Sequence, residues 1–392
     1  MIVAGVMSGT SADGINVALV RIRDSAAGKQ SRKDRRSSHP RIQLLGHADF
    51  PYPPQVRRAV LEAMNAASAS VAGLSRLNFR LAELYADAVL AAQGRLRVRA
   101  ELIGCHGQTI YHQGDRRPFL GNKLAVTWQV GEGAILAAHT GLPVVSDFRP
   151  ADMAAGGKGA PLVPFFDYAF YRDPKIGRIA QNIGGIANLT AIPPGATLAQ
   201  VRAFDTGPGN MVMDAIAERL FHQRYDRNGK IAATGAVHQD VVRELLAAPF
   251  FRQQPPKTAG REEFGREFVA RFLKRCGRAP KPDILATATA LTAQSIAQAI
   301  RRFVITPRTR YRELIVSGGG SKNPTLLAML ANEMAQLNLT LRLSDEFGVP
   351  SEAKEAVAFA LLAYETWHRR PSNVPSATGA TRPAILGKIS YA

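Results

Sequence analysis

One local pattern restricts the fold more than any other: short apolar runs that stop at glycine with Ser, Thr, Asp or Asn beside it. Positions 2–6 run into Met7-Ser8-Gly9-Thr10-Ser11-Ala12-Asp13-Gly14, and apolar positions resume over 15–22. Positions 101–105 end at His106-Gly107-Gln108-Thr109, and 143–146 end at Asp147-Phe148-Arg149. In the second half, 179–182 leads into Gly184-Gly185 and 189–192 resumes. Positions 201–204 then deliver Asp205-Thr206-Gly207-Pro208-Gly209-Asn210, and 314–316 runs into Ser317-Gly318-Gly319-Gly320. Short apolar runs bounded by turn residues predict strands. Between them, apolar positions recur at helical spacing: two helices over 53–96, then helices at 211–223, 285–303, around 326–330, and at 355–367. The Pro/Ser/Thr-rich stretch 371–383 predicts irregular structure. Strands alternating with helices in this way predict an α/β chain with polar clusters at strand ends, where α/β folds build their sites.

At 392 residues the chain exceeds the roughly 250–300 residues over which one core keeps growing, so two lobes and a cleft between them are expected. Hydrophobic residues make up 46% and charged residues 21%, which excludes a fibrous, collagenous or wholly disordered chain. Cys105 and Cys276 are the two cysteines; they supply neither a disulfide framework nor a thiolate zinc site, and a reducing compartment fits. The amino terminus shows no basic region followed by an apolar run and cleavage site. Nowhere do about 18 apolar residues run without a charge. A cytoplasmic protein with no membrane partner is expected.

The 50 basic and 31 acidic residues give a net charge of +19. The densest basic stretch, 21–41, carries Lys29, Arg32, Lys33, Arg35 and Arg36 among Ser, Asp and Gly, the composition of a solvated hairpin loop or short insertion. It has no aromatic platform and no recognition-helix signature, so no specific nucleic-acid partner is expected. The remaining surplus is scattered over exposed helix faces.

Glycine lets backbone N–H groups approach an anion, and neighbouring hydroxyls and carboxylates can bind phosphate or hold water around Mg2+. One such turn is commonly just a tight turn, whereas several in one chain point to a phosphate ligand. Gly156-Gly157-Lys158-Gly159 continues with Ala, so no P-loop is present, and no G-x-G-x-x-G follows the first strand. Ser11 lacks the final glycine of a nucleophile elbow, and no histidine pair has metal-ligand spacing.

Taken in order, the turns above, together with the run from Ala154 through Gly156-Gly157-Lys158-Gly159 to Pro164, resemble the anhydro-N-acetylmuramic acid kinase family over essentially the whole chain. The resemblance implies the actin-like ATPase and sugar kinase fold: two ribonuclease-H-like α/β lobes with ATP in a central cleft. The expected lobes are 1–150, completed by 368–392, and 151–367. It also implies the reaction, in which ATP and water convert 1,6-anhydro-N-acetylmuramic acid to N-acetylmuramic acid 6-phosphate and ADP in cell-wall sugar recycling. A homodimer is a family-level expectation. Gly9, Thr10, Ser11, Ala12, Asp13, Gly14, Ile15 and Asn16 match the ATP phosphate loop, while Gly207 and Gly318, Gly319 and Gly320 match later nucleotide turns. Asp205 matches the catalytic base; capping a helix that starts near Met211 is its other possible role.

Neutral hydroxyls and a lactyl carboxylate require mixed donors and acceptors plus a cation. His106, Gln108, Thr109, Asp147, Arg149 and Asp152 are the candidate sugar contacts, with Arg149 on the carboxylate. Asn182 is a further candidate, open between ligand contact and turn support, as is Asn210. His106 is also explained as a satisfied strand-end histidine; loop 156–159 is open between backbone contact with substrate or phosphate and a mobile flap, and Glu355 between a cleft residue and a helix-surface charge. The family pattern carries Asp where this chain has Asn16 and Leu where it has Ala12. Losing that carboxylate leaves Asp13 and Asp205 to hold Mg2+ through water. Two alternatives remain open: a kinase for another amino sugar, and an inactive nucleotide- or nucleic-acid-binding protein of the same fold.

Overall fold

The computed structural model describes residues 1–9, 11–24, 40–306 and 309–392. Thr10 and positions 25–39, which hold most of the basic stretch, lie outside the described residues. Packing divides the chain into two units: Met1–Phe170 with Glu352–Ala392, and Tyr171–Ser351.

The first unit carries β1 (Ile2–Met7), β2 (Gly14–Arg23), β3 (Arg41–Pro51), β4 (Leu102–Cys105), a hairpin of β5 (Gln108–Phe119) and β6 (Asn122–Val130), then β7 (Val144–Ser146). The second carries β8 (Gly177–Ile183), β9 (Ile186–Ile192), β10 (Arg202–Pro208), β11 (Tyr311–Ser317) and β12 (Thr340–Leu343). A last strand, β13 (Lys388–Ser390), returns to the first unit. The first sheet has the order β13-β7-β4-β1-β2-β3, the second β10-β9-β8-β11-β12. In each, three consecutive strands form an antiparallel meander, and the first of the three then pairs in parallel with a later strand. The two units therefore repeat one topology, to which β13 adds an antiparallel edge beside β7.

Strand β1 is buried along its middle (Val3, Ala4 and Val6 at most 1% exposed). One side is covered by the helix Val71–Leu96 through Leu81, Tyr85 and Val89, within the core shared with Val17 and Leu19. The helix Lys354–Trp367 packs on β1, β2 and β4. Here glycine is required by distance: a Cβ on Gly5 would sit 1.8 Å from Ala356 O, and one on Gly104 would sit 2.3 Å from Phe359 O. This packing assigns 352–367 to the first unit, where the sequence had placed it in the second lobe. Segment 151–170 joins it: Lys354 Nζ forms a buried ion pair with Asp167 at 2.7 Å. In the second unit the helix Lys281–Phe303 is buried nearly all round. Its buried Thr287 and Thr289 return their hydroxyls to the carbonyls of Asp283 and Leu285, so neither hydroxyl is orphaned. It starts earlier than the expected 285 because Pro280 and Pro282 suit a helix entrance.

No helix among the described residues is long and apolar enough to cross a membrane. Because backbone cannot recede from backbone, Gly5→Ala is expected to lower the unfolding free energy by about 3 kcal/mol. Gly94→Ala, at a helical position with nothing within 4 Å, is expected to raise it by roughly 0.5–1 kcal/mol. Chemical denaturation of both variants measures the difference.

Candidate active site

In the first unit the chain leaves β1 at Met7 and turns back into β2. Ala12 N–H donates to Gly9 O at 3.1 Å, and Ala12 takes a left-handed φ of 52° with its methyl buried. Gly14, Ile15 and Asn16 are the opening residues of β2, paired with Pro51, Phe50 and Asp49. The Ile15 side chain belongs to the core. Of the expected phosphate loop, Gly9, Ser11, Ala12 and Asp13 thus remain outside the ladder among the described residues. Behind them lies a buried relay: Tyr52 OH donates to Ser8 Oγ (2.8 Å), Ser8 to Gln108 Oε1 (2.6 Å), and Gln108 Nε2 to Gly9 O (3.2 Å). Gln108 is fully buried, with both ends of its amide engaged. The structure places it as a support of the turn, where sequence reasoning expected a sugar contact. Burial pushes the Tyr52 phenol up to about 12, so it stays protonated and keeps donating.

Asn16 Nδ2 donates to Asp49 Oδ1 at 2.5 Å. A carboxylate at position 16 would instead face Asp49 as a like charge. Asp13 turns to the surface and pairs with Arg57 at 3.3 Å.

At the end of β4, His106 is 3% exposed. Its Nδ1 lies 2.8 Å from Gly107 O, and its Nε2 lies 3.2 and 2.9 Å from Arg149 Nε and Nη2. An arginine only donates, so Nε2 accepts and the proton sits on Nδ1. Burial, and after it the Arg149 cation, hold the imidazole well below its ordinary range. Arg149 Nη1 donates to Gly159 O at 2.8 Å. These three contacts leave two of the five guanidinium N–H groups unengaged by the described residues. Burial lowers Arg149 to about 10, opposed by the nearby carboxylates of Glu355 and Asp152. Glu355 reaches solvent, yet desolvation raises its pKa against the pull of Arg149 and Lys354. It is thus a neighbour of Arg149, which goes beyond a surface charge.

The other expected sugar contacts are engaged elsewhere. Asp152 is fully buried and accepts from Gly159 N, Asn373 Nδ2 and Thr378 Oγ1. Asp147 pairs with Lys388 of β13. Thr109 Oγ1 accepts from Gln129 Nε2 at 3.2 Å.

In the second unit Asp205 lies on β10, the edge strand of its sheet, at a register shift between Asp205 and Gly207. An edge strand leaves outward N–H groups needing partners. Asp205 N donates to Lys257 O at 3.1 Å, and Ala259 N donates to Asp205 Oδ2 at 2.7 Å. The turn 257–259 therefore grips both backbone and carboxylate, while Oδ1 accepts no hydrogen bond among the described residues. Burial raises Asp205 to about 6, the Ala259 N–H and the Lys257 cation pull it down, and Glu262 pushes it up. Lys257 is 3% exposed. Its ammonium donates to Phe250 O at 3.0 Å and sits over the Phe250 and Phe303 rings at 4.5 and 4.9 Å. The helix Asn210–Phe221 has Gly209 as N-cap and no side-chain cap; Asp205 does not cap it. Gly184 and Gly185 carbonyls receive the N–H groups of Gly209, Asn210 and Met211 instead.

Gly318 adopts a φ of 86°, and a Cβ there would lie 2.6 Å from Asn182 Oδ1. The Asn182 side chain therefore lies against Gly318. Beside it a cavity of about 670 Å³ is lined by Asn210, Asp214, Asp226, Gly319, Lys322 and Asn323 among others. Sequence reasoning missed Asp214, whose carboxyl is pushed up to about 6 by burial. Its signal was present: it stands one turn after Asn210 and so shares that face. Lys257 was missed because a lone lysine reads as surface.

Among the described residues no group of three His, Cys, Asp or Glu side chains is arranged to hold a metal ion. Each unit offers one carboxylate of the expected pair: the exposed Asp13 in the first, and in the second Asp205, whose Oδ1 accepts no hydrogen bond among the described residues.

Two α/β units of one topology, with glycine turns at strand ends and a desolvated aspartate on an edge strand, define a protein of the ATPase and sugar-kinase class. The family model described as anhydro-N-acetylmuramic acid kinase matches residues 1–392. Anhydro-N-acetylmuramic acid kinases of Bacillus cereus and Bacillus thuringiensis subsp. konkukian are each 44% identical over 394 residues, covering 100% of this chain and 99% of theirs. The chain belongs to the anhydro-N-acetylmuramic acid kinase family. Among solved structures, a ROK family glucokinase from Streptomyces griseus in complex with glucose and AMPPNP aligns at 14% identity and a TM-score of 0.39. That alignment covers 93% of this chain and 100% of the glucokinase.

The His106 environment has a direct test. Its imidazole is expected to stay neutral through the pH range in which an ordinary histidine takes up its proton, read by NMR with His106→Gln to assign the signal. Titration near the ordinary value of about 6.5 would contradict the burial and the Arg149 contact.

Proposed function

We propose that this chain phosphorylates 1,6-anhydro-N-acetylmuramic acid with concurrent hydrolysis of the anhydro bond, consuming ATP and water and releasing N-acetylmuramic acid 6-phosphate and ADP. The observation that carries the residue assignment is Asp205: one oxygen held by a backbone N–H, the other available, and a carboxyl raised to about 6. A base works best when its pKa approaches the operating pH while it remains ionised. An ordinary aspartate near 4 is a weaker base; burial brings this one closer without protonating it at pH 7.

In the proposed step Asp205 accepts a proton from water as the water oxygen bonds to the anomeric carbon. The bond from that carbon to O6 breaks, charge developing towards an oxocarbenium-like state. O6 takes the γ-phosphoryl group, and the bond between that phosphorus and the ADP oxygen breaks. Gly9, Ser11, Ala12 and Asp13 of the first turn, and Gly207 with the turn Gly318–Gly320, serve the nucleotide. Asn210 and Asp214 extend that set at the cavity beside Gly319. Arg149, oriented by His106, offers its two unengaged N–H groups to the lactyl carboxylate. Mg2+, bound with ATP, would neutralise charge on the β- and γ-phosphates, its waters held by Asp13 and Asp205.

Turnover in 18O-labelled water is expected to place label at the anomeric hydroxyl. Asp205→Asn is expected to lower kcat by about 10³-fold or more while nucleotide binding persists. Near-normal turnover of that variant would remove Asp205 from the mechanism, and failure of both the unsubstituted chain and Asn16→Asp to turn over would overturn the function. Because the base acts in its ionised form, kcat/KM is expected to fall as pH drops below about 6, the raised folded value of Asp205. An acid limb near 4 would contradict its desolvation.

A further inference from the structure

The stretch after the helix Lys354–Trp367, which sequence reasoning left as an irregular tail, is a buried polar construction. Asn373 and Thr378 are each 1% exposed, and Asp152 is fully buried. Asp152 Oδ1 accepts from Asn373 Nδ2 (2.8 Å) and from Thr378 Oγ1 (2.8 Å), while Oδ2 accepts from Gly159 N (2.9 Å). Gly159 O in turn accepts from Arg149 Nη1 at 2.8 Å. Three successive links therefore run from the tail to the guanidinium.

The same loop is fastened by backbone. Lys158 N donates to Thr378 O (2.9 Å), Thr381 N to Ala155 O (2.8 Å), and Gly157 N to Asp152 O (2.9 Å). A Cβ on Gly157 would fall 2.2 Å from Asp152 Oδ2, so the carboxylate occupies the space that only glycine leaves. Asn373 is itself fixed, since its Oδ1 accepts from Ala384 N at 2.7 Å. A buried carboxylate that loses one of these donors must turn towards the others, and Gly159 is the donor that carries Arg149.

We propose that Asn373 and Thr378, acting through Asp152 and Gly159, are positioning residues for Arg149 and thereby set the preference for a sugar that bears a carboxylate. This rests on the assignment of Arg149 to the lactyl carboxylate. His106 holds one edge of the guanidinium and Gly159 O holds Nη1, so the fork that remains has one orientation only while Gly159 stays in place. A displaced fork still presents positive charge but loses paired hydrogen bonds to a carboxylate. The effect falls on a carboxylated sugar and spares one without that group.

The test compares 1,6-anhydro-N-acetylmuramic acid with 1,6-anhydro-N-acetylglucosamine, which lacks the lactyl group, using the full chain and ATP. Thr378→Val is expected to raise KM for the carboxylated sugar about tenfold, as expected from loss of one charge-assisted hydrogen bond. It should leave kcat and the KM for ATP within about twofold, and lower the ratio of kcat/KM between the two sugars about tenfold. Thr378→Ser, which keeps the hydroxyl, is expected to restore both. Should Thr378→Val fail to fold, Asn373→Ser carries the same expectation. An unchanged ratio, or equal losses on both sugars, overturns the proposal. Arg149→Lys separates the two levels: if it too leaves the ratio unchanged, the carboxylate assignment itself is wrong, whereas a lowered ratio in Arg149→Lys alone rejects only the role of Asn373 and Thr378.

Discussion

Backbone lies against backbone where the helix Lys354–Trp367 crosses β1 and β4, and much of the first unit depends on that approach. Gly5 and Gly104 leave no side chain between sheet and helix, so the carbonyls of Ala356 and Phe359 come to the strand surface. The helix then fills one face of the sheet after a long sequence interval, bringing residues after 352 back to the first unit. One consequence is structural: β13 extends the sheet beside β7. Another is functional. Asn373 and Thr378 arrive next to Asp152 because the helix before them is seated in this way, and the loop that supports Arg149 is built on their side chains.

The two units treat charge by the same physical means and with opposite results. Burial penalises whichever form is charged. At His106 it suppresses protonation, leaving a neutral acceptor that can face the Arg149 cation. At Asp205 it raises the carboxyl to about 6, and one backbone N–H with a neighbouring lysine stops the rise there. Lys257 is kept charged-competent in a desolvated place by the Phe250 carbonyl and two aromatic faces, while burial lowers it to about 8. Against these local effects the net charge of +19 is secondary.

Strand ends with glycine were legible in the sequence because the pattern there is local: an apolar run, a glycine, a polar neighbour. The edges β3 and β12 and the hairpin β5–β6 were not. Tyr111, Leu124, Val126 and Trp128 of that hairpin are exposed, so its apolar residues do not mark a buried face, and its sharp turn at Leu120 and Gly121 lacks the usual hairpin signal. The candidate site divides in the same way. Asp205 on β10, His106 after β4, Arg149 after β7 and Gly319 after β11 occupy strands or strand ends that the local pattern marks. Gln108 and Asp152 carry the same polar chemistry in the same motifs, but their hydrogen bonds point inward, and only packing distinguishes a polar group that meets a ligand from one that holds the loop which does. Asn373, Thr378 and Lys257 left no local signal because their partners lie far along the chain.

The central claim is that Asp205 activates the water that opens the anhydro bond. A crystal structure of the chain with a non-hydrolysable ATP analogue and 1,6-anhydro-N-acetylmuramic acid tests it most directly. The expected result is an ordered water within about 2.6–3.2 Å of Asp205 Oδ1, facing the anomeric carbon on the side opposite O6. A bound sugar whose anomeric carbon lies out of reach of that oxygen, or a water held there by a different carboxylate, would contradict it.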